Sequence, residues 1–384
     1  MRRVTTRTGS TSSDDSTAQI QVSVSGHFLK VARESVGLSQ ERFAERLSVD
    51  ANTIQSWETG RRPIKSIQLS TLGRLKHALR QLGANQQVLT ALHDATETDY
   101  LLDYILNTNP EQMAPVSHPL ATLVMKRSIM DVLAWSLADH VPAWLSTLHR
   151  APRRGPVADT PLLSAANKRR FFEHLRIAAD RSLASSLRTN PAAILLRWQA
   201  YYLSAWSASG ETHSWLREMN RMEHAWFGEP VHWTPAWAAA RSLVVAQARL
   251  GDPEPLRRFL DKAISSDECQ EANLNYWAYW VGEIAATHHT GEFMAAKHGD
   301  WGGSLLLHRL VNNLRPNDGA LDLYVHSMSA LLQQRPYVVR HDPALAKAVT
   351  GRATGLLLNG PSALSRKSAW QLEHIRSGLS VSTQ

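Results

Sequence analysis

The side chains best suited to recognising another molecule lie close together, between residues 51 and 62. Asn52 and Gln55 carry amide groups three residues apart, a spacing that places both on one face of a helix. An amide group can donate to and accept from the adenine edge in the major groove of DNA. The pattern predicts a surface that reads bases in double-stranded DNA.

A helix that presents these amides must bury its opposite face. Ile54 and Trp57 are also three residues apart and supply that buried face. The outward positions are then Ala51, Asn52, Gln55 and Ser56. We expect Asn52 and Gln55 to make direct base contacts, with the Ala51 methyl group against thymine and Ser56 beside it. The alternative is that these are ordinary solvated polar positions.

The segment around this helix shows helical spacing of apolar residues, interrupted by turn signals. Gly37 ends a first predicted helix, Ser39 caps a second, and Asp50 caps a third that runs to about Glu58. A fourth predicted helix is lined by Ile67, Leu69, Leu72, Leu75 and Leu79. Residues 26–83 are therefore predicted to form a compact helical domain.

The same segment resembles the XRE, or lambda-repressor-like, family of helix-turn-helix regulators. The motif that carries the resemblance is Leu38-Ser39-Gln40 at the entry, Phe43-Ala44 in the first motif helix, Thr53-Ile54 in the second and Trp57-Glu58-Thr59-Gly60-Arg61 at the exit. The resemblance covers residues 26–83 and implies a DNA-binding domain of a transcription regulator. It further implies phosphate contacts at Gln40, Arg61 and Arg62, with Lys65 nearby as another candidate, and a structural ion pair between Arg33 and Glu58.

Two residues depart from the family pattern. Ser48 lies in the turn where the family often has glycine, and a left-handed backbone there costs a serine about 1–2 kcal/mol. Asp50 would place a negative charge near DNA phosphate, so we interpret it as a helix cap.

The charge of the chain is concentrated near its N-terminus. The 384 residues carry a formal net charge of +8. Residues 1–83 hold 13 lysines and arginines against 7 acidic residues, whereas the remaining 301 residues carry only +2. A polyanionic partner is therefore expected at the N-terminal part. Arginine outnumbers lysine 33 to 9, a bias typical of GC-rich genomes such as those of actinomycetes.

The composition divides the chain into four segments. Residues 1–25 are rich in serine and threonine and are predicted to be a disordered tail. Residues 26–83 are the helix-turn-helix domain, residues 84–116 a helical connector, and residues 117–384 a helical dimerisation or effector domain. No long stretch alternates polar and apolar residues as a strand would, so we predict an all-α fold.

The C-terminal region shows a weak internal repeat. Gly210, Gly251 and Gly291 are spaced 41 and 40 residues apart, and each is followed by an acidic residue. We expect each glycine to be the turn of a helical hairpin in an irregular α-solenoid, with tryptophans filling the grooves. The segment around Gly251 resembles the helix junction of a tetratricopeptide repeat, although the spacing departs from that family's period. An irregular helical bundle is the alternative.

Several kinds of protein are excluded or disfavoured by the sequence. A single cysteine, Cys269, cannot form an internal disulfide and favours a reducing cytosol. No apolar run is long enough to span a membrane, and the basic N-terminal residues are not followed by the apolar segment of a secretory leader, so we expect neither membrane insertion nor secretion. The histidines His288, His289 and His298 lack the spacing of a metal site, and no nucleophile motif occurs. We therefore expect no enzyme activity, no metal and no cofactor, and a cytoplasmic, nucleoid-associated location.

Two functions remain open. The first is a homodimeric transcription regulator, with a repressor the favoured form, whose helical domain dimerises and senses a peptide or small molecule. In architecture this resembles the helical-repeat, peptide-sensing regulators of Gram-positive bacteria. The second is an interaction scaffold, or an antitoxin-like protein, whose helical domain binds a partner protein recruited to DNA.

Overall fold

The computed structural model of the protein describes residues 23–142, 145, 160–228, 231–297, 299–360 and 363–381. Over these ranges the chain folds into seventeen α-helices and contains no β-strand, which confirms the all-α fold class. Of the predicted tail, residues 1–22 lie outside the described residues.

The N-terminal helices match the predicted ones closely. They are α1 (Val24–Ser35), α2 (Gln40–Leu47), α3 (Ala51–Glu58), α4 (Leu69–Gln81) and α5 (Gln86–Asn107), with a short 3-10 helix at Ile64–Ser66. Helix α1 packs against α3 and α5, and α2 packs against α3 and α4. Phe28, Phe43, Ile54 and Leu75 are completely buried between them. Leu69 is the exception: it is 84% exposed, because it begins α4 outside the apolar stripe.

Helix α1 begins at Val24, one residue before the predicted end of the tail at residue 25. The carboxylate of Asp99 on α5 accepts hydrogen bonds from the backbone N–H of Val24 at 2.6 Å and of Ser25 at 3.2 Å. The Ser25 hydroxyl donates to the same carboxylate at 2.5 Å. Since the first N–H groups of a helix have no partner within the helix, this distant acid supplies one. The start of α1 is therefore held by a local cap, the Ser23 hydroxyl, which accepts from the N–H of Gly26 at 3.0 Å, and by a residue 74 positions from Ser25.

Helix α5 joins the N-terminal helices to the rest of the protein. It packs against α1, α6 (Arg127–Ala138) and α7 (Ala165–Arg181). Trp135 of α6 is fully buried and contacts the rings of His27 and Phe28 on α1 edge-on, at 5.1 and 5.5 Å. The predicted connector therefore contributes to the same core as the helix-turn-helix.

The remaining helices stack along the chain. They are α8 (Pro191–Ser204), α9 (Gly210–Phe227), α10 (Pro235–Arg249), α11 (Glu254–Lys262), α12 (Asp267–Val281), α13 (Ser304–Asn313), α14 (Leu321–Gln334), α15 (Tyr337–Arg340), α16 (Pro343–Asn359) and α17 (Arg366–Val381). Helices α8 and α9 both pack against α10, and α10 packs against α11. Further along, α14 contacts α11, α12, α13 and α17.

The predicted hairpin turn is confirmed at Gly251, whereas the structure differs from the prediction at Gly210 and Gly291. Gly251, with φ of +96°, lies in the turn between α10 and α11 as expected. Gly210 is the first residue of α9, so the turn precedes it. The expectation for Gly291 is wrong, because Gly282, with φ of +91°, ends α12 and Gly291 begins a 3-10 helix instead.

Five tryptophans fill spaces between helices, as the sequence predicted, whereas Trp370 of α17 is 56% exposed. Trp135 and Trp237 are fully buried, and Trp198, Trp277 and Trp280 are less than 8% exposed. In the described part of the chain, no helix combines the length and apolar character that crossing a membrane requires.

Candidate nucleic-acid interface

Helices α2 and α3 and the turn between them form a helix-turn-helix. The Ser39 hydroxyl accepts from the backbone N–H of Arg42 at 3.3 Å and caps α2. The Asp50 carboxylate accepts from the N–H of Asn52 at 2.7 Å, so this residue caps α3 as expected. Between the caps, Ser48 adopts the left-handed conformation, with φ of 55°. The two helices are thereby held at a fixed angle by local interactions.

Helix α3 has a buried face and an exposed face. Ile54 is fully buried and Trp57 is 5% exposed, so both point into the core. Asn52 and Gln55 are exposed, and Ala51 is half-buried at the start of the helix. The structure therefore places the two predicted amides together on the solvent side of α3.

Ser56 is a correction to the sequence analysis, because it does not face outward. It is only 6% exposed, and its hydroxyl donates to the carbonyl of Asn52 at 2.6 Å. The same oxygen accepts from Arg61, at 2.6 Å from Nη2 and 3.2 Å from Nε. The guanidinium of Arg61 covers Ser56, so this serine positions an arginine instead of presenting its own hydroxyl.

Arg33 and Glu58 lie in a buried ion pair that ties α1 to the end of α3. The Nε and Nη2 atoms of Arg33 donate to the two carboxylate oxygens of Glu58, at 2.6 and 3.0 Å. The third nitrogen, Nη1, donates to the carbonyl of Leu38 at 2.6 Å. Because both side chains are almost fully buried, removal of either would strand a charge in the core.

Gln40 also belongs to this network. Its amide donates to the Glu58 carboxylate at 2.7 Å, and the residue is half-buried at the first position of α2. The Gln40 side chain, predicted to contact phosphate, is thus held against α3. The backbone N–H of Gln40 lies in the first turn of α2, where N–H groups without a partner in the helix favour anions.

The two remaining predicted phosphate contacts differ from each other. Arg62 is exposed just beyond α3, and its backbone N–H donates to the carbonyl of Ser56 at 3.0 Å. Lys65 instead lies 2.7 Å from the carboxylate of Asp103 on α5. Arg62 is therefore presented to solvent next to the exposed face of α3, whereas Lys65 links the motif to α5.

Thr59 is a candidate that the sequence analysis missed. It follows α3, is exposed, and its hydroxyl donates to the carbonyl of Gln55 at 2.7 Å. Positions 52, 55 and 59 have the spacing of a single stripe on a helix. That spacing is visible in the sequence and could have identified the residue.

Comparison with known proteins agrees with this geometry. Residues 26–92 match the family model of the helix-turn-helix domain, a segment that runs from α1 into the first turns of α5. The segment is a helix-turn-helix domain, which supports a DNA-binding role for this part of the chain. No curated protein and no solved structure matches the chain.

Two of the histidines considered for a metal site contact neighbouring groups in the structure. His288 stacks on Phe293 with ring centroids 4.3 Å apart, and His289 contacts the carbonyl of Thr122 at 2.8 Å. His298 lies outside the described residues. Among the described residues, no three His, Cys, Asp or Glu side chains group together as a metal site would need.

Proposed function

We propose that this protein is a transcription regulator that binds a specific operator in double-stranded DNA as a homodimer. The observation that carries the proposal is the exposed amide pair of α3, Asn52 and Gln55, on a helix whose opposite face is anchored by Ile54 and Trp57. In a helix-turn-helix, the second helix lies in the major groove and its N-terminal residues reach the base edges. Helix α3 has the position and the side chains for that task.

The contacts divide into those that read bases and those that hold the backbone. Asn52 and Gln55 suit adenine, and Ala51 offers a methyl group beside them. Arg61, held by Ser56, and the exposed Arg62 suit phosphate, together with the N-terminus of α2 at Gln40. Lys65 is a weaker candidate, because a DNA phosphate would have to compete with Asp103.

The helical region from α6 onward is proposed to dimerise and to sense a small molecule. A cavity of about 560 Å³ between α9, α10 and α11 supports the sensing role. Phe227, Val231 and Phe259 give it apolar walls, and Arg221 and Arg258 give it positive charge. Its size is in the usual range for small-molecule sites. A repressor is the favoured form of the regulator, because a dimer bound over an operator blocks access to it.

The test begins by selecting bound duplexes from a random library with the full chain, which gives the operator. Gln55→Ala should then reduce the differences in binding affinity among operator variants, since one bidentate contact contributes about 1–3 kcal/mol of discrimination between bases. Arg62→Ala should weaken all duplexes alike and reduce the salt slope by about one. Arg366→Ala, which removes an exposed charge at the start of α17, is the matched control. If Gln55→Ala and Arg62→Ala each lost the same affinity for every duplex, the assignment of Gln55 to base reading and of Arg62 to phosphate binding would be overturned.

The scaffold remains a second candidate because two large apolar side chains are exposed on helices that pack together. Leu358 of α16 is 71% exposed and Trp370 of α17 is 56% exposed. Stoichiometric co-purification of one partner protein, with unchanged DNA affinity after the partner dissociates, would favour the scaffold. Release from the operator on addition of a small molecule would favour the sensor.

A further inference from the structure

The large cavity between α9, α10 and α11, which we call the α9–α11 cavity, has an apolar wall along α10. Ala236, Ala240 and Val244 lie four residues apart on that helix, so they share one of its faces and line the cavity together. The small alanine side chains leave the space that the cavity occupies. Phe227 of α9 and Phe259 of α11 line it from the neighbouring helices. Its volume of about 560 Å³ is sufficient for an apolar body of the size of fused aromatic rings.

A buried carboxylate group, that of Glu223 on α9, also lines the α9–α11 cavity. The residue is only 5% exposed. Its Oε1 atom accepts from Nε of Arg197 at 2.9 Å and from the hydroxyl of Tyr201 at 3.0 Å. Its Oε2 atom accepts from no donor among the described residues, and protein atoms do not enclose it completely, so this oxygen borders the cavity. A hydrogen-bond acceptor is therefore open to a molecule in the cavity.

The charge of Glu223 is already balanced within the protein. Arg197 is fully buried beside it, and two further nitrogens of Arg197 donate to backbone carbonyls, Nη1 to that of Ser182 at 3.1 Å and Nη2 to that of Arg188 at 3.0 Å. These contacts hold the guanidinium group on the Oε1 side of the carboxylate. Because Arg197 supplies the counter-charge, the donor that suits Oε2 is a neutral one, a hydroxyl or an N–H group.

Arg258 of α11 is the basic side chain at the exposed edge of the cavity that is best placed to meet a ligand. Arg221, at the same edge, forms an ion pair with Glu218, and the ring of His232 lies 3.9 Å from the carboxylate of Glu268. Arg258 is exposed and forms no ion pair with any residue in the part of the chain that the structure describes. Its guanidinium group is thus available to a carboxylate group.

We propose that the α9–α11 cavity binds an apolar acid that carries a neutral hydrogen-bond donor. The apolar body of this ligand lies against the face of α10, its hydroxyl or N–H group donates to Oε2 of Glu223, and its carboxylate group pairs with Arg258. This ligand class rests on the sensing role proposed above for the cavity and specifies the chemistry of the molecule that is sensed.

The experiment titrates the full chain, without DNA, by calorimetry with a hydroxynaphthoate, its methyl ether and its methyl ester. In the parent compound the hydroxyl and carboxylate groups lie at opposite ends of the fused rings. The hydroxynaphthoate should bind saturably, with one molecule per chain. The methyl ether should bind at least about tenfold more weakly, because it has lost the donor to a charged acceptor. The methyl ester should bind about twofold to fivefold more weakly, since an ion pair with an exposed arginine contributes little. No saturable binding of the hydroxynaphthoate, or equal binding of its methyl ether, overturns the proposal.

Variants locate the bound probe. Ala240→Phe places a larger side chain in the cavity and should abolish binding. Arg258→Gln should weaken binding of the hydroxynaphthoate to the level of the methyl ester and leave binding of the ester unchanged. Arg340→Gln removes an exposed charge on α15, outside the cavity lining, and serves as the control with unchanged binding. Because Arg258 is exposed, its variant keeps the test decisive if Ala240→Phe fails to fold. Full binding in a folded Ala240→Phe, or the same loss in Arg258→Gln for acid and ester, would contradict the proposal.

DNA binding is measured separately, with the selected operator duplex, so the two proposals can fail independently. A chain that binds the operator but not the hydroxynaphthoate would overturn the ligand class and leave the proposed DNA-binding regulator intact. A chain that binds the hydroxynaphthoate in the predicted order of affinities, but no duplex, would support the ligand class and overturn the regulator.

Discussion

Ser48, in the turn of the helix-turn-helix, holds a backbone conformation that glycine adopts more easily. The left-handed region costs a residue with a Cβ atom about 1–2 kcal/mol. We therefore expect Ser48→Gly to raise the free energy of unfolding by about 1 kcal/mol, after the extra chain entropy of glycine is subtracted. Urea unfolding of the full chain, followed by circular dichroism, measures the change.

Ser70→Gly is the control for this prediction. Ser70 is exposed and lies in the right-handed first turn of α4, where glycine costs helix stability. If the two substitutions have the same sign, the conformation of Ser48 is not the source of the effect.

At the scale of single residues, local spacing predicted part of the candidate site. The three-residue spacing of Asn52 and Gln55, opposite Ile54 and Trp57, was sufficient to place the amides in solvent. It misplaced Ser56, because that residue is buried by the side chain of Arg61, which arrives from beyond the end of the helix. Periodicity describes one helix and carries no information about a side chain that folds back over it.

At the scale of helices, the first N–H groups of α1 depend on an acidic residue of α5, Asp99. Burial raises the pKa of Asp99 to about 6, from an ordinary value of 3.8. The folded state therefore binds the carboxyl proton of Asp99 more tightly than the unfolded state does. The contribution of protonated Asp99 to the free energy of unfolding is greatest below pH 4 and is lost as the pH rises through 6. The shift corresponds to about 3 kcal/mol. The stability advantage of the wild type over Asp99→Asn should shrink by about that amount between pH 4 and pH 7.

Urea unfolding of both proteins at several pH values checks this expectation. A profile for Asp99→Asn that runs parallel to that of the wild type would show that Asp99 does not titrate between pH 4 and pH 7.

The helix boundaries of the N-terminal domain were predictable because their caps are local. Ser39, Asp50 and Gly37 act within a few residues of their own sequence position. The start of α1 also has a local cap at Ser23, but its second partner was not predictable in this way, since Asp99 lies 75 residues from Val24. The turn at Gly282 was likewise missed, because spacing alone could not distinguish it from the repeated position at Gly291.

For the whole molecule, the proposed homodimer is the central prediction. One helix-turn-helix per chain reads one half-site, so two chains are needed to read a two-fold symmetric operator. We expect sedimentation equilibrium of the full chain to give twice the chain mass of 42.8 kDa. A palindromic duplex, with half-sites about 34 Å apart, should bind one dimer. A monomer both with and without DNA would contradict the dimer.

Helix α1 is shared by two neighbours, since one side packs on α3 and another meets α5 and Trp135. These shared contacts limit how the DNA-binding domain can be exchanged between proteins during evolution. A segment cut at Gly83 would leave α1 without its cap at Asp99 and without the tryptophan against Phe28. Recombination that exchanges this DNA-binding module between proteins must therefore carry α5 with it, together with a compatible surface on α6. The module and the body of this protein are constrained to evolve as one unit.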